Sequence, residues 1–268
     1  MQSLPRIRQS PTDPDFVADP YPFYERARRL GDFVYWDEYA MPMATSHEAV
    51  NSILTPPAFG REMPTAQRSA RPDHLAAFNR IDDYSLMRLE PPEHTRLRNV
   101  VHEALKGGAI LAMAPTISRT CDALIDTFPR GSAFDVQNAF ADQLTGRTVI
   151  RYLGLPSDIY PQLRAWADDM SALKYARKDR AIEDTANEAA KAFSDFMEAH
   201  LSDRVRAPAK DDFIGRVLNI NKTLTPFEVI SLVLTFIQAS VQGTAYALGH
   251  ALRELIDIPE RSLALAPD

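Results

Sequence analysis

The chain has 268 residues and a single cysteine, Cys121. An internal disulfide and a Cys-rich zinc site are therefore excluded. A reducing cytoplasm is the simplest compartment. Glycine is scarce, at 10 residues against 20 prolines, which disfavours Gly-rich phosphate loops. No Walker loop, dinucleotide fingerprint or nucleophile elbow occurs. His47-Glu48 and His102-Glu103 lack the second histidine of a zinc-protease helix, and no metal site is expected. With 30 basic and 36 acidic side chains the net charge is -6, so no nucleic-acid partner is expected. Met1-Gln2-Ser3-Leu4-Pro5-Arg6 lacks the apolar stretch of a signal peptide. Internal repeats and low-complexity tracts are missing too.

What is present is a large apolar fraction, 45%, enough for a substantial core in one domain over 1–268. The run from Val229 to Leu252 has no formal charge and is long enough to cross a bilayer. Yet it contains Ser231, Thr235, Gln238, Ser240, Gln242, Thr244 and His250, which lipid would penalise. It reads as a buried central helix, with no membrane partner. Thr225-Pro226-x-Glu228 caps its start.

Before that helix, Asp19-Pro20-Tyr21-Pro22 opens a helix that runs to about Leu30. Phe33–Trp36 and Met41–Thr45 read as two short strands. Ser46 caps a helix over His47–Leu54. Thr55–Ser85 is rich in Pro, Arg and Asp and shows little periodicity, so it reads as a long functional loop. Amphipathic helices follow over Pro91–Leu105 and Pro115–Phe128. The second carries a stripe of Ile117, Cys121, Leu124, Ile125 and Phe128. Further helices are expected at Gln137–Leu153, Ser157–Leu173, Arg180–Val205 and Asp211–Leu218. The class is mainly α with a small N-terminal β-element.

Two constellations could carry chemistry. His94 and Arg98 lie four apart on one helical face and could grip a carboxylate or phosphate. The alternative is a solvated face paired with Glu90 and Glu93. In the long helix, Ala239-Ser240-Val241-Gln242-Gly243-Thr244 clusters small and polar residues, permitting close approach of a ligand or a local distortion. The alternative there is tight helix packing with satisfied hydroxyls.

Taken in order, these stretches resemble the cytochrome P-450 family of haem-thiolate monooxygenases in its soluble bacterial form. Leu89-Glu90-Pro91-Pro92-Glu93-His94-Thr95-Arg96-Leu97-Arg98 is similar to that family's C-helix motif. Asp19-Pro20-Tyr21-Pro22-Phe23-Tyr24 resembles its first helix. Gly249-His250-Ala251-Leu252, followed by Pro259-Glu260, resembles the end of its long I helix and the helix after it. The resemblance implies an incomplete P-450-like fold, the N-terminal two thirds of a member, ending before the Glu-x-x-Arg helix and the cysteine loop that ligates the iron.

The resemblance also assigns roles. His94 and Arg98 match the pair that holds the haem propionates. Leu86 matches a residue near the haem face. Ala239 and Ser240 match positions where the I helix passes over the haem. Gln242 and Gly243 stand where the family places an acid and a threonine for proton relay, with Thr244 one residue later. Phe59 and the Thr55–Ser85 loop match a substrate-recognition loop. Phe236 and Ile237, with Phe59 and Leu86, suggest an apolar small-molecule substrate.

The implied cofactor is haem, but thiolate ligation is not possible in this chain as given. A complete member would insert an oxygen atom into its substrate and draw electrons from a ferredoxin-type partner. This chain alone is expected to be inactive, and a separate C-terminal polypeptide could complete it. Two other readings stand beside this one: a haem-free helical binding or interaction protein, and haem ligation by His94 or His250.

Overall fold

The computed structural model describes residues 3–55, 59–60, 70–106, 108–174, 179–206 and 210–257. The turn expected at Pro259-Glu260, and residues 56–58 and 61–69 of the expected loop, lie outside them. The chain divides into two compact units, one holding residues 1–67 and the other residues 68–174 and 178–268.

In the first unit, β1 (Arg6–Ile7) is followed by α1 (Pro14–Ala18), α2 (Tyr21–Leu30), β2 (Phe33–Trp36), β3 (Met41–Ala44) and α3 (His47–Leu54). The sheet order is β1-β2-β3. β1 runs parallel to β2, pairing Ile7 with Trp36, and β3 runs antiparallel, pairing Val34 with Met43. Alternation along β2 buries Val34 and Trp36. Trp36 packs on Phe23 of α2 at 4.7 Å between ring centres. Its indole N–H donates to the Gln9 carbonyl at 2.8 Å. At Gly31 a φ of 139° ends α2, a conformation that only glycine adopts cheaply. Ser46 caps α3 as expected, its hydroxyl accepting from the Ala49 N–H.

The second unit is helical throughout. It contains α4 (Ala76–Asp82), α5 (Glu93–Ala104), α6 (Ala114–Ile125), α7 (Asp142–Leu153), α8 (Tyr160–Ser171) and α9 (Arg180–Arg206). After these come α10 (Phe213–Ile220), α11 (Pro226–Ser240) and α12 (Gln242–Asp257). A one-turn π-helix, Gln137–Ala141, leads into α7. The core gathers Leu97 of α5, Ile150 of α7, Met170 of α8, Phe193 of α9, Ile214 of α10 and Ile230 of α11.

Buried polar groups are paired where they hold helices together. At the start of α11 the Thr225 hydroxyl accepts from the Glu228 N–H, and the Glu228 carboxylate accepts from the Thr225 N–H at 2.7 Å. That same carboxylate, almost fully buried, binds Arg96 of α5. Asp142 at the head of α7 accepts from Arg164 of α8 at 2.6 Å. Buried Arg204 of α9 grips Asp212 with two bonds of 2.7 and 2.6 Å.

Two expectations are corrected. The Thr55–Ser85 stretch is not all loop, because a turn at Asp73–Leu75 and α4 lie inside it. Their support is tertiary: the Asn187 side chain of α9 accepts from the Ala77 and Phe78 N–H groups at 2.9 and 3.2 Å. The stripe on α6 is not a buried face. Only Leu124 is buried, Cys121 is half-buried, and Ile125 is exposed. Phe128, at the end of that stripe, packs on Phe134 and Phe140 with ring centres 4.6 and 5.8 Å apart, while Ile117 is exposed.

The segment Pro226–Leu255 is long and apolar enough to cross a membrane. Half of its most apolar window is nevertheless buried inside the fold.

Candidate functional site

α11 and α12 form nearly one rod with a discontinuity at Val241, across which the hydrogen bonds continue. The Val241 N–H donates to the Ile237 carbonyl at 3.1 Å, and the Ala245 N–H to the Val241 carbonyl at 2.9 Å. Successive residues of a helix point about 100° apart, so four rows of different character surround this point.

Ile237, Val241 and Ala245 form the buried row. Gln238 and Gln242 form the second row and are tied to α8. The Gln242 amide donates to Asp168 at 2.5 Å, and the Gln238 amide donates to the Ser171 hydroxyl at 3.0 Å. The third row is open. Ala239 and Gly243 are exposed, and a Cβ added at Gly243 would meet no atom within 4 Å. Tyr246, Ala247 and His250 continue the exposure along α12. In the fourth row Ser240 and Thr244 line a cavity of about 470 Å³ shared with α6 and α7, whose other walls include Ile117, Val149, Tyr152 and Phe236.

The residues singled out in the sequence therefore separate. Ala239 and Gly243 share the open row. Ser240 and Thr244 border the cavity. Gln242 is held by α8. Phe236 stacks on Tyr152 with ring centres 5.6 Å apart, and Ile237 is buried in the core. Leu86 is half-buried against the same core. Phe59 belongs to the first unit and is exposed.

On α5 the buried stripe is Leu97, Val100 and Ala104. Arg96 flanks it on one side and reaches Glu93 and Glu228. His94 and Arg98 flank it on the other side by helical geometry. His94 is half-buried and Arg98 exposed, and neither side chain makes a hydrogen bond or ion pair among the described residues. Of the two acidic partners expected on a solvated face, Glu90 and Glu93, Glu93 binds Arg96 instead. Two basic side chains one turn apart are thus free for an external carboxylate.

These features test the fit of a haem. An open row of small residues leaves room for a flat ring, and His94 and Arg98 suit its acidic edge. An axial donor is a different matter. Among the described residues no group of three His, Cys, Asp or Glu side chains could hold a metal. Burial pushes the Cys121 thiol above its ordinary range, with the neighbouring Asp122 charge adding to the shift, so the thiolate is disfavoured. The described residues thus offer an open row of small side chains and two unpaired basic side chains, while the one cysteine, Cys121, is disfavoured as a thiolate where it stands.

Several functional-looking features had no local signal in the sequence. The capture of Gln242 by Asp168 links residues 74 positions apart. The cavity beside Ser240 and Thr244 arises only when α6, α7 and α11 converge.

No protein-family model matches the chain. Among curated proteins it is 26% identical over 268 residues to the epothilone C/D epoxidase of Sorangium cellulosum, covering 97% of this chain and 64% of that protein. It is 27% identical over 270 residues to the putative cytochrome P450 133B2 of Xylella fastidiosa, covering 96% of this chain and 65% of that protein. Among solved structures, P450BioI in complex with a fatty-acyl carrier protein superposes with a TM-score of 0.82 at 22% identity, covering 94% of this chain and 65% of that one. CalO2 superposes with a TM-score of 0.79 at 25% identity, covering 94% and 64%. The chain thus spans a little under two thirds of the length of the relatives it matches. The sequence and structure comparisons agree with the C-helix motif and the interrupted central helix: the chain is similar to bacterial cytochromes P450 in sequence and in fold.

Proposed function

We propose that this chain forms one side of the haem pocket of a monooxygenase that oxidises an apolar small molecule. The observation that carries the reading is the open Ala239–Gly243 row on an otherwise core helix, together with the unpaired His94 and Arg98. Haem, when bound, supplies iron at which oxygen is activated. This chain's own residues bind and position. His94 and Arg98 hold the carboxylates, Arg98 with charge-assisted bonds. Ala239 and Gly243 permit close approach of the ring. The Ser240 and Thr244 hydroxyls, one residue beyond Ala239 and Gly243, are the proton-carrying groups beside that row, because the Gln242 amide is held by Asp168 and does not titrate.

A sulfur ligand would come from a further polypeptide segment, and the exposed Ile117 and Ile125 of α6 beside the apolar cavity suit one. The isolated chain is then inactive, while the completed enzyme takes electrons from a ferredoxin-type donor and works in the cytoplasm. A haem-free binding protein is the second reading, favoured by the withdrawal of Gln242 from the open row.

Haem titration of the purified chain, read by the Soret band and tryptophan quenching, separates these readings. The expected result is saturable binding without a thiolate-type band in the reduced carbon-monoxide spectrum. The double variant His94→Ala, Arg98→Ala should weaken binding by about tenfold or more, since each charged hydrogen bond is worth about 1.5–3 kcal/mol. No haem binding would support the second reading. A thiolate-type band from this chain alone would refute the inactivity.

A further inference from the structure

A second groove lies on the other side of α6 from the apolar cavity, and its chemistry is opposite. It encloses about 950 Å³ between α6, α7, the start of α8 and the segment before α10. Gln143, Arg147 and Arg151 recur every four residues along α7 and so form one row of its wall. Arg119 of α6 and Lys210 face the same groove. All four cationic residues are exposed, and none makes an ion pair among the described residues. Arg119 and Arg147 reach only neutral neighbours, Thr116 at 3.2 Å and Gln143 at 3.4 Å.

The groove has two acidic residues. Asp212 is already neutralised by buried Arg204. Only Asp158 remains to oppose four positive charges. This concentration stands out in a chain of net charge -6. Several arginines outside the groove are matched instead: Arg71 by Asp82 and Asp83, Arg164 by Asp142, Arg216 by Asp211.

We infer that this groove docks an acidic segment of a partner protein. Guanidinium groups bind carboxylates through paired hydrogen bonds, and a row of them one turn apart matches carboxylates at similar spacing on a partner helix or strand. The positive field steers such a partner against the negative remainder of the surface. A nucleic-acid strand is disfavoured because no exposed aromatic ring lines the groove for base stacking. A small organic anion is disfavoured because the groove is wide and about half polar, where ligand pockets are mostly apolar. The inference is independent of the haem reading, since none of these residues touches the open row.

The test is fluorescence anisotropy of a short labelled poly-L-glutamate peptide with the full chain. Saturable binding is expected at about 20 mM salt and loss of it at about 0.5 M, where screening shortens the reach of each charge. Arg147→Glu with Arg151→Glu should weaken binding by at least about tenfold, the scale expected for reversing two contacting charges. Arg147→Gln with Arg151→Gln should give an intermediate loss. The exposed pair Arg28→Glu with Arg29→Glu, in the first unit, should leave binding unchanged. Far-ultraviolet circular dichroism confirms that each variant is folded. Absence of saturable binding, equal loss from the Arg28 and Arg29 variant, or tighter binding of a single-stranded oligonucleotide of equal charge would overturn the proposal.

Discussion

From Phe227 to Leu234 every residue of α11 is buried, whereas between Gln242 and Leu255 of α12 only Ala245 is. The two helices are consecutive and share one uncharged run as far as Leu252. Their difference lies in their neighbours. α11 is surrounded by α4, α7, α8, α9 and α10, while α12 packs mainly on α7 and the turn Gln137–Ala141. Hydropathy reports what a helix could bury, and surrounding elements decide what it does bury. The open half of the rod is where a ligand can approach, and the closed half anchors it.

Substitutions in the two helices should separate anchoring from access. The largest effect is expected from Ile230→Ala in α11. Its side chain is fully buried, so urea unfolding should show a loss of about 2–5 kcal/mol from burial and cavity terms together. A loss below about 1 kcal/mol would mean that α11 is not the anchor that its burial implies.

A smaller effect is expected from Glu228→Gln. Burial pushes this carboxyl up, but the Arg96 guanidinium and the Thr225 backbone and hydroxyl outweigh it and hold it below the ordinary glutamate range. A carboxyl lowered on folding contributes stability above its unfolded pKa and loses it as pH falls through the folded value. The wild type should therefore exceed the variant by about 1–2 kcal/mol near neutrality, at the low end for such pairs because Arg96 is partly in solvent. The gap should close on acidification below the usual glutamate range. A gap independent of pH would remove the electrostatic explanation.

The smallest effects belong to α12. Gly243→Ala places its Cβ in open space and should stabilise by about 0.5–1 kcal/mol in thermal or urea unfolding. Gly249→Ala should not, because its Cβ would meet the Gln137 side chain, which donates to Asp142 at 3.0 Å. Equal behaviour of the two glycines would contradict the distinction between open and covered rows.

Much of the local structure was legible from residue pattern. The α3 boundaries, the Ser46 cap, the capping box at Thr225 and Glu228 and the run of amphipathic helices all rest on interactions within a few residues. Other features have partners far away in sequence and no local trace. β1 is two residues long and exists only because Tyr35 and Trp36 pair with it. α4 is held by Asn187, more than 100 residues later, and by Arg80, stacked 3.6 Å above the Phe227 ring.

The candidate site divides in the same way. His94 and Arg98 could be placed on one face from their spacing alone, because an α-helix repeats every 3.6 residues. That Arg96 is the one spent on Glu93 and Glu228, leaving those two free, follows from where α5 meets α11. Ala239 and Gly243 were visible as small residues in a long apolar run. Their exposure, the diversion of Gln242 to Asp168 and the gathering of Arg119, Arg147, Arg151 and Lys210 around one groove were not. Periodicity encodes the faces of each helix, since that geometry is local, but only packing among distant segments determines which faces remain open.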